Sequence, residues 1–163
     1  MKKLFIATSS FYKIKNKFLN EFKTKSFILK YNPYKRKLKE DELINLANDS
    51  NFIIAGTEEY NQKVLGKLNN LKYLFRLGSG TDNIDLRLLI KKKIRFSQSK
   101  ITPEIAVSEL IVSYILSIYR DSLFHNDNFK KNIWQKKMGS ILNGKIVGII
   151  GYGKVGKYLK KIL

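Results

Sequence analysis

Short apolar runs alternate with amphipathic stretches along most of this 163-residue chain, and that alternation limits the fold more than any other feature. Lys3-Leu-Phe-Ile-Ala7, Ser26-Phe-Ile-Leu-Lys30, Asn51-Phe-Ile-Ile-Ala-Gly56, Leu71-Lys-Tyr-Leu-Phe-Arg76 and Lys93-Ile-Arg-Phe-Ser97 each have the length and composition of a strand. Helical spacing falls between them. Ile14, Phe18, Leu19 and Phe22 predict a helix over 13–22, and Leu43, Ile44, Leu46 and Ala47 one over 39–49. Val64, Leu65 and Leu68 predict a short helix over 61–68, and a further one spans 85–91. Strand and helix in strict alternation predict a parallel sheet covered on both faces.

The second half reads differently. Thr102 can cap a helix, Pro103 suits its first position, and Glu104 suits the positive end of its dipole. From Ile105 to Tyr119 that helix is apolar nearly all round, so it is predicted to be buried or to lie in an interface. A polar helix over 121–138, carrying His125, Phe129 and Trp134, is expected to end at Gly139-Ser140.

The apolar run Lys145-Ile-Val-Gly-Ile-Ile150 reads as a strand entering Gly151-Tyr152-Gly153-Lys154-Val155-Gly156. A helical pattern follows at Val155, Leu159 and Ile162. A strand, then GxGxxG, then a helix is the context that gives this motif its meaning. Gly151 allows the tight turn, Gly153 lets the backbone approach a pyrophosphate, and Gly156 lets helix and strand pack closely. The N–H groups near Lys154 and Val155 would hold the phosphates. The alternative is a glycine-rich turn without a ligand. The acidic residue that would hold a ribose hydroxyl belongs about 20 residues further on, past Leu163.

Composition removes several function classes. The chain has no cysteine and one histidine, His125, which excludes thiolate chemistry, disulfides and a multi-His metal site. The apolar run Leu110–Tyr119 is far shorter than the roughly 20 residues a membrane span needs, and the N-terminal run breaks too early for a signal peptide. A cytoplasmic protein without a membrane partner is the expectation. The net charge of +19 invites a nucleic-acid reading, but the basic residues are overwhelmingly Lys, with Arg only at 36, 76, 87, 95 and 120. Readers of bases and phosphates favour the Arg fork, so the charge argues against that partner.

Four ordered segments, Leu71–Leu86, Thr102–Leu110, Phe129–Gly139 and Leu142–Gly156, resemble those of the NAD-dependent D-isomer-specific 2-hydroxyacid dehydrogenases, and Asn32-Pro33 with Leu38 to Leu43 leans towards their phosphoglycerate dehydrogenase-like branch. Leu142 to Gly156 resembles the family's cofactor motif, and Leu71 to Leu86 its substrate loop. Thr102 to Leu110 resembles the start of its long interdomain helix, and Phe129 to Gly139 its lead-in to the cofactor domain. The resemblance implies a flavodoxin-like parallel-sheet substrate domain over 1–98. Residues 99–163 would then hold the interdomain helices and the first strand and helix of a truncated Rossmann domain.

It also implies NAD as cofactor, with NADP open, held by Gly151, Tyr152, Gly153, Lys154, Val155 and Gly156. A small 2-hydroxy or 2-keto acid is implied as substrate, its carboxylate on Gly78, Ser79 and Gly80. The glycines here, read without the family, fit either an anion-binding nest or a plain structural turn. A homodimer is implied for full-length members.

The family's catalytic Arg, acid and His would all fall beyond Leu163. Arg76, Arg120 and His125 do not match them, so no catalytic residue is assigned and the chain alone is expected to be inactive. The rival reading is a non-catalytic module that dimerises through helix 103–119. Asp82, Asn83 and Asp85 read as capping and loop-bracing groups. Glu109 reads as structural, and Trp134 as packing.

Overall fold

The computed structural model describes residues 2–13 and 27–163 and divides into two compact units, Met1–Thr102 and Pro103–Leu163. The helix expected over 13–22, with Ile14, Phe18, Leu19 and Phe22, lies outside the described residues.

In the first unit β1 (Lys2–Ile6), β2 (Phe27–Tyr31), β3 (Phe52–Ala55), β4 (Tyr73–Arg76) and β5 (Arg95–Gln98) form one sheet. Every pair is parallel and the order is 2-1-3-4-5. That order is the flavodoxin-like arrangement, whose ligands gather beyond the carboxyl ends of the strands. Helices α1 (Glu40–Ala47), α2 (Gln62–Lys67) and α3 (Leu86–Lys91) supply the crossovers.

Alternation along each strand sorts the side chains between two faces. Phe5, Ile53 and Leu74 point to one face and are sealed against Leu43, Ala47, Val64, Leu65, Leu68 and Leu89. Leu4 and Ile6 point to the other, beside Phe11 and the half-buried Phe27, Phe52 and Ile54. Asn61 starts α2 by accepting the Val64 N–H at 3.1 Å, and Asp85 starts α3 by accepting the Leu88 N–H at 2.9 Å. Both caps satisfy a donor that the helix itself leaves open.

In the second unit α4 (Glu104–Tyr119) is followed by α5 (Ser122–Lys130) and, after a long irregular stretch, α6 (Lys154–Ile162). Several expectations change here. Pro103, not Thr102, holds the cap position of α4, its carbonyl accepting the Val107 N–H. The helix α5 stops at Lys130 rather than 138, because Asn132 takes a left-handed φ of 56°. Trp134 therefore lies beyond the helix, 85% exposed, with an edge-to-face contact to Phe129. Gly139 and Ser140 do not end a helix. They fold back on the end of α4, where the Ser140 N–H donates to the Tyr119 carbonyl and a side chain at Gly139 would collide with it.

Residues 145–150 join no sheet, although the helix after them forms as expected. Ile146 and Ile150 are fully exposed. An apolar run becomes a strand only when a neighbour accepts its backbone hydrogen bonds, and none lies beside this one among the described residues. Glu109 is exposed, as are Ile105, Leu110, Tyr114 and Ile118 on the same helix, whose apolar pattern predicts burial or an interface. No helix of the described residues is long and apolar enough to cross a membrane.

Asp49 ties the edge of the sheet together. Its carboxylate accepts from Lys3 Nζ at 2.8 Å and Lys30 Nζ at 2.9 Å, joining β1 to β2. These bonds hold its pKa down, from 3.8 to about 2. A depressed carboxylate pKa stabilises the fold above the unfolded value, and that stability disappears as pH falls through the folded one. Asp49→Asn should therefore lower the urea midpoint at pH 6 but flatten its pH dependence between about pH 4 and pH 2, measured by far-UV circular dichroism.

Candidate functional site

Parallel strands bring all their carboxyl ends to one edge, and three loops leave that edge close together. The segment Thr8-Ser9-Ser10 follows β1, Gly56-Thr57-Glu58 follows β3, and Leu77 to Gly80 follows β4. The first two crowd each other: a Cβ at Gly56 would lie 3.1 Å from Thr8 and 2.9 Å from the Glu58 carboxylate. Glu58 is buried, and its Oε2 accepts the Gly56 N–H at 2.9 Å.

Residues 83–85 stitch the β3 and β4 loops together. Asn83 Nδ2 donates to the carbonyls of Gly56 and Glu58, the Tyr60 N–H donates to Asn83 O at 2.8 Å, and the Asp85 N–H donates to Tyr60 O at 3.0 Å. Asn83 and Asp85 thus brace and cap. The Tyr60 hydroxyl is buried with no hydrogen-bond partner among the described residues, and burial beside Glu58 pushes its pKa well up.

Two backbone donors stay open on the β4 loop. The Leu77 N–H continues the ladder to Ala55 O at 2.9 Å, and the Gly78 N–H turns back to Arg76 O at 3.0 Å. Gly78 takes a φ of 142°, a region suited to glycine. Gly78 thus supplies conformation and not a free donor. The N–H groups of Ser79 and Gly80 have no partner among the described residues, and both residues are exposed. Adjacent free N–H groups form a concavity suited to an anion such as a carboxylate. Arg76, which the sequence offers no specific role, lies against this loop. Its Nε donates to Gly80 O at 3.0 Å and its Nη1 to Leu77 O.

The glycine motif, in the second unit, is built the same way. Gly151 turns the chain with φ 93°, and Gly153 holds the cap position of α6. No side chain caps that helix, so the N–H groups of Lys154, Val155 and Gly156 keep no partner among the described residues. A Cβ at Gly153 would meet open space, whereas one at Gly156 would lie 2.4 Å from Gly151 O. The second glycine of the motif leaves room for an approaching group, and the third is required for packing. Tyr152 and Lys154 are exposed beside the turn. Lys154 and Lys157 bring positive charge to the positive end of the dipole, which is unfavourable until an anion arrives.

Ser108 is the one buried residue of α4, and its Oγ donates to Val155 O at 3.2 Å, anchoring the start of α6. A small polar residue in an apolar helix is the only sequence signal for that role. His125 lies edge-on to Phe124, 5.5 Å between rings. Among the described residues no three His, Cys, Asp or Glu side chains gather where a metal could bind.

Residues 6–151 match the family model described as D-isomer specific 2-hydroxyacid dehydrogenase, catalytic domain. D-3-phosphoglycerate dehydrogenase of Sus scrofa is 29% identical over 126 residues, covering 76% of this chain and 24% of that protein. A putative D-isomer specific 2-hydroxyacid dehydrogenase from Polaromonas superposes with TM-score 0.83 and 20% identity, over 99% of this chain and 51% of that one. NAD+-bound 3-phosphoglycerate dehydrogenase of Entamoeba histolytica superposes with TM-score 0.72 and 23% identity, over 99% and 50%. The chain thus spans about a quarter of the curated relative and half of each solved structure.

The two motif glycines can be separated by substitution. Gly156→Ala should cost about 2 kcal/mol or more by overpacking and lose amide-exchange protection along α6. Gly153→Ala should leave that protection in place.

Proposed function

The chain belongs to the D-isomer specific 2-hydroxyacid dehydrogenase family, and on that premise we propose that it carries two binding elements of an NAD-dependent oxidoreductase acting on a small 2-hydroxy or 2-oxo acid. The observation that carries this reading is the presence of two separate sets of unpartnered backbone donors, one after β4 and one at the start of α6. The Ser79 and Gly80 N–H groups receive the substrate carboxylate, with Gly78 shaping the bend. The N–H groups of Lys154, Val155 and Gly156 receive the pyrophosphate of a nicotinamide dinucleotide, NAD or NADP.

The glycine turn fits such a group. The space in front of Gly153 is open, Gly151 supplies the bend, and the uncapped helix start with its lysines favours a doubly charged anion. The dinucleotide supplies hydride chemistry when bound. The residues of this chain bind and orient. None of Arg76, Arg120 and His125 corresponds to the family's catalytic Arg and His, and this reading assigns no described residue to move the substrate hydroxyl proton.

A second reading, a dimerising module without catalysis, draws on α4. Its side chains Ile105, Leu110, Tyr114, Leu116 and Ile118 are exposed, more apolar surface than a lone helix usually presents to water.

Purified chain titrated with NADH should show amide shifts at 154–156 in nitrogen-15 spectra, and no NADH oxidation with a panel of 2-oxo acids. Saturating NADH without those shifts rejects the cofactor reading, and robust turnover rejects the inactivity. Light scattering separates the second reading. A monomer removes it, whereas a dimer that Ile118→Glu dissolves supports it.

A further inference from the structure

We propose that Arg76 is a positioning residue that presets the carboxylate-receiving loop by clamping the peptide on either side of the Ser79–Gly80 donor pair; this rests on the reading of that loop given above. The carbonyl of Leu77, which accepts from Arg76 Nη1, belongs to peptide 77–78, and the carbonyl of Gly80, which accepts from Nε at 3.0 Å, belongs to peptide 80–81. Between them lie two peptides, whose N–H groups are those of Ser79 and Gly80, the donors left without a partner among the described residues.

The backbone of the same residue completes the clamp. Arg76 O accepts the Gly78 N–H at 3.0 Å and the Ser99 N–H at 2.9 Å, which fastens the loop to the segment after β5. The guanidinium lies flush on Gly78, where a Cβ would sit 2.8 Å from Nη1.

The consequence is chemical. A mobile loop would lose conformational freedom on meeting a ligand, and this cost is avoided if the loop is already ordered. Free loop carbonyls would repel a carboxylate. Arg76 occupies the two at the ends of the donor window and places a positive charge beneath it. Only a rigid fork reaches both oxygens with separate N–H groups, and an ammonium on a flexible stem does not reproduce that geometry. The ligand class is a monocarboxylate with an adjacent oxo or hydroxyl group.

The test is a titration of the 163-residue chain with sodium pyruvate, against sodium chloride at equal ionic strength, followed by nitrogen-15 spectra. The wild type should shift at the Ser79 and Gly80 amides. Arg76→Lys, which keeps the charge, should weaken this binding about tenfold, near 1.4 kcal/mol, with its NADH affinity and thermal midpoint unchanged. Methylguanidinium added to Arg76→Ala should restore part of it.

Arg76→Lys binding pyruvate within twofold of wild type overturns the clamp and leaves the loop reading standing. A wild type that shows no shift at those amides overturns both. Should the variants fail to fold, the wild type still decides. The Arg76 Nε–H should be protected from solvent exchange, and an unprotected rate overturns the proposal.

Discussion

The Gly56 N–H donates to the buried carboxylate of Glu58, and the Asn83 amide holds the carbonyls of Gly56 and Glu58 from the other side. This small network stitches the loop after β3 to the loop after β4, with Tyr60 and Asp85 extending it by backbone hydrogen bonds. A buried carboxylate is costly without partners, so Glu58 holds residues 56–58 in one conformation. The loop that presents the Ser79 and Gly80 donors leaves β4 between this braced neighbour and the segment after β5. Its shape follows from how its two flanks are held, and the sheet register sets where those flanks begin.

The first unit was legible in the sequence because burial is its dominant organising term. Each of the five apolar runs became a strand within a residue or two of its expected bounds, and Val64, Leu65 and Leu68 face the core as their spacing requires. Asp85 and Asn83 took the capping and bracing roles that short polar side chains favour beside turns. The loop after β4 was legible only in outline. A glycine-rich bend signals an anion nest, but nothing in Gly78-Ser79-Gly80 tells which N–H remains free. That depends on Arg76 O taking the Gly78 N–H, and on side-chain hydrogen bonds reaching back across the bend. Glu58 carries no local signal either, since its burial comes from the crossing of two loops.

The second unit shows where local pattern stops being sufficient. Residues 145–150 have the composition of a buried strand, yet the ladder needs a second chain segment and the pattern cannot supply one. The glycine turn and α6 form nonetheless, because their requirements are local. Gly151 has the needed φ, Gly156 admits the carbonyl of Gly151, and Ser108 meets the first turn of the helix. A turn that leaves backbone donors open can therefore be in place where the segment leading to it pairs with no strand. The exposed side of α4 follows the same logic: its apolar surface is a property of the sequence, and its burial depends on what lies against it.

The chemistry of the basic residues separates position from charge. The chain is rich in Lys, which makes most of its surface ion pairs, among them Lys37–Glu59, Lys63–Asp41 and Lys137–Asp121. Such contacts need only a point charge and contribute little each. Two of the five Arg residues occupy places where one planar group spans two acceptors. Arg36 meets both oxygens of Glu42, which holds that carboxylate at about 2, well below its usual range, and fixes the start of α1. Arg76 meets two carbonyls across the loop after β4. The net charge of +19 thus says little about which cations are held in place, because Arg36 and Arg76 act through the geometry of their donors.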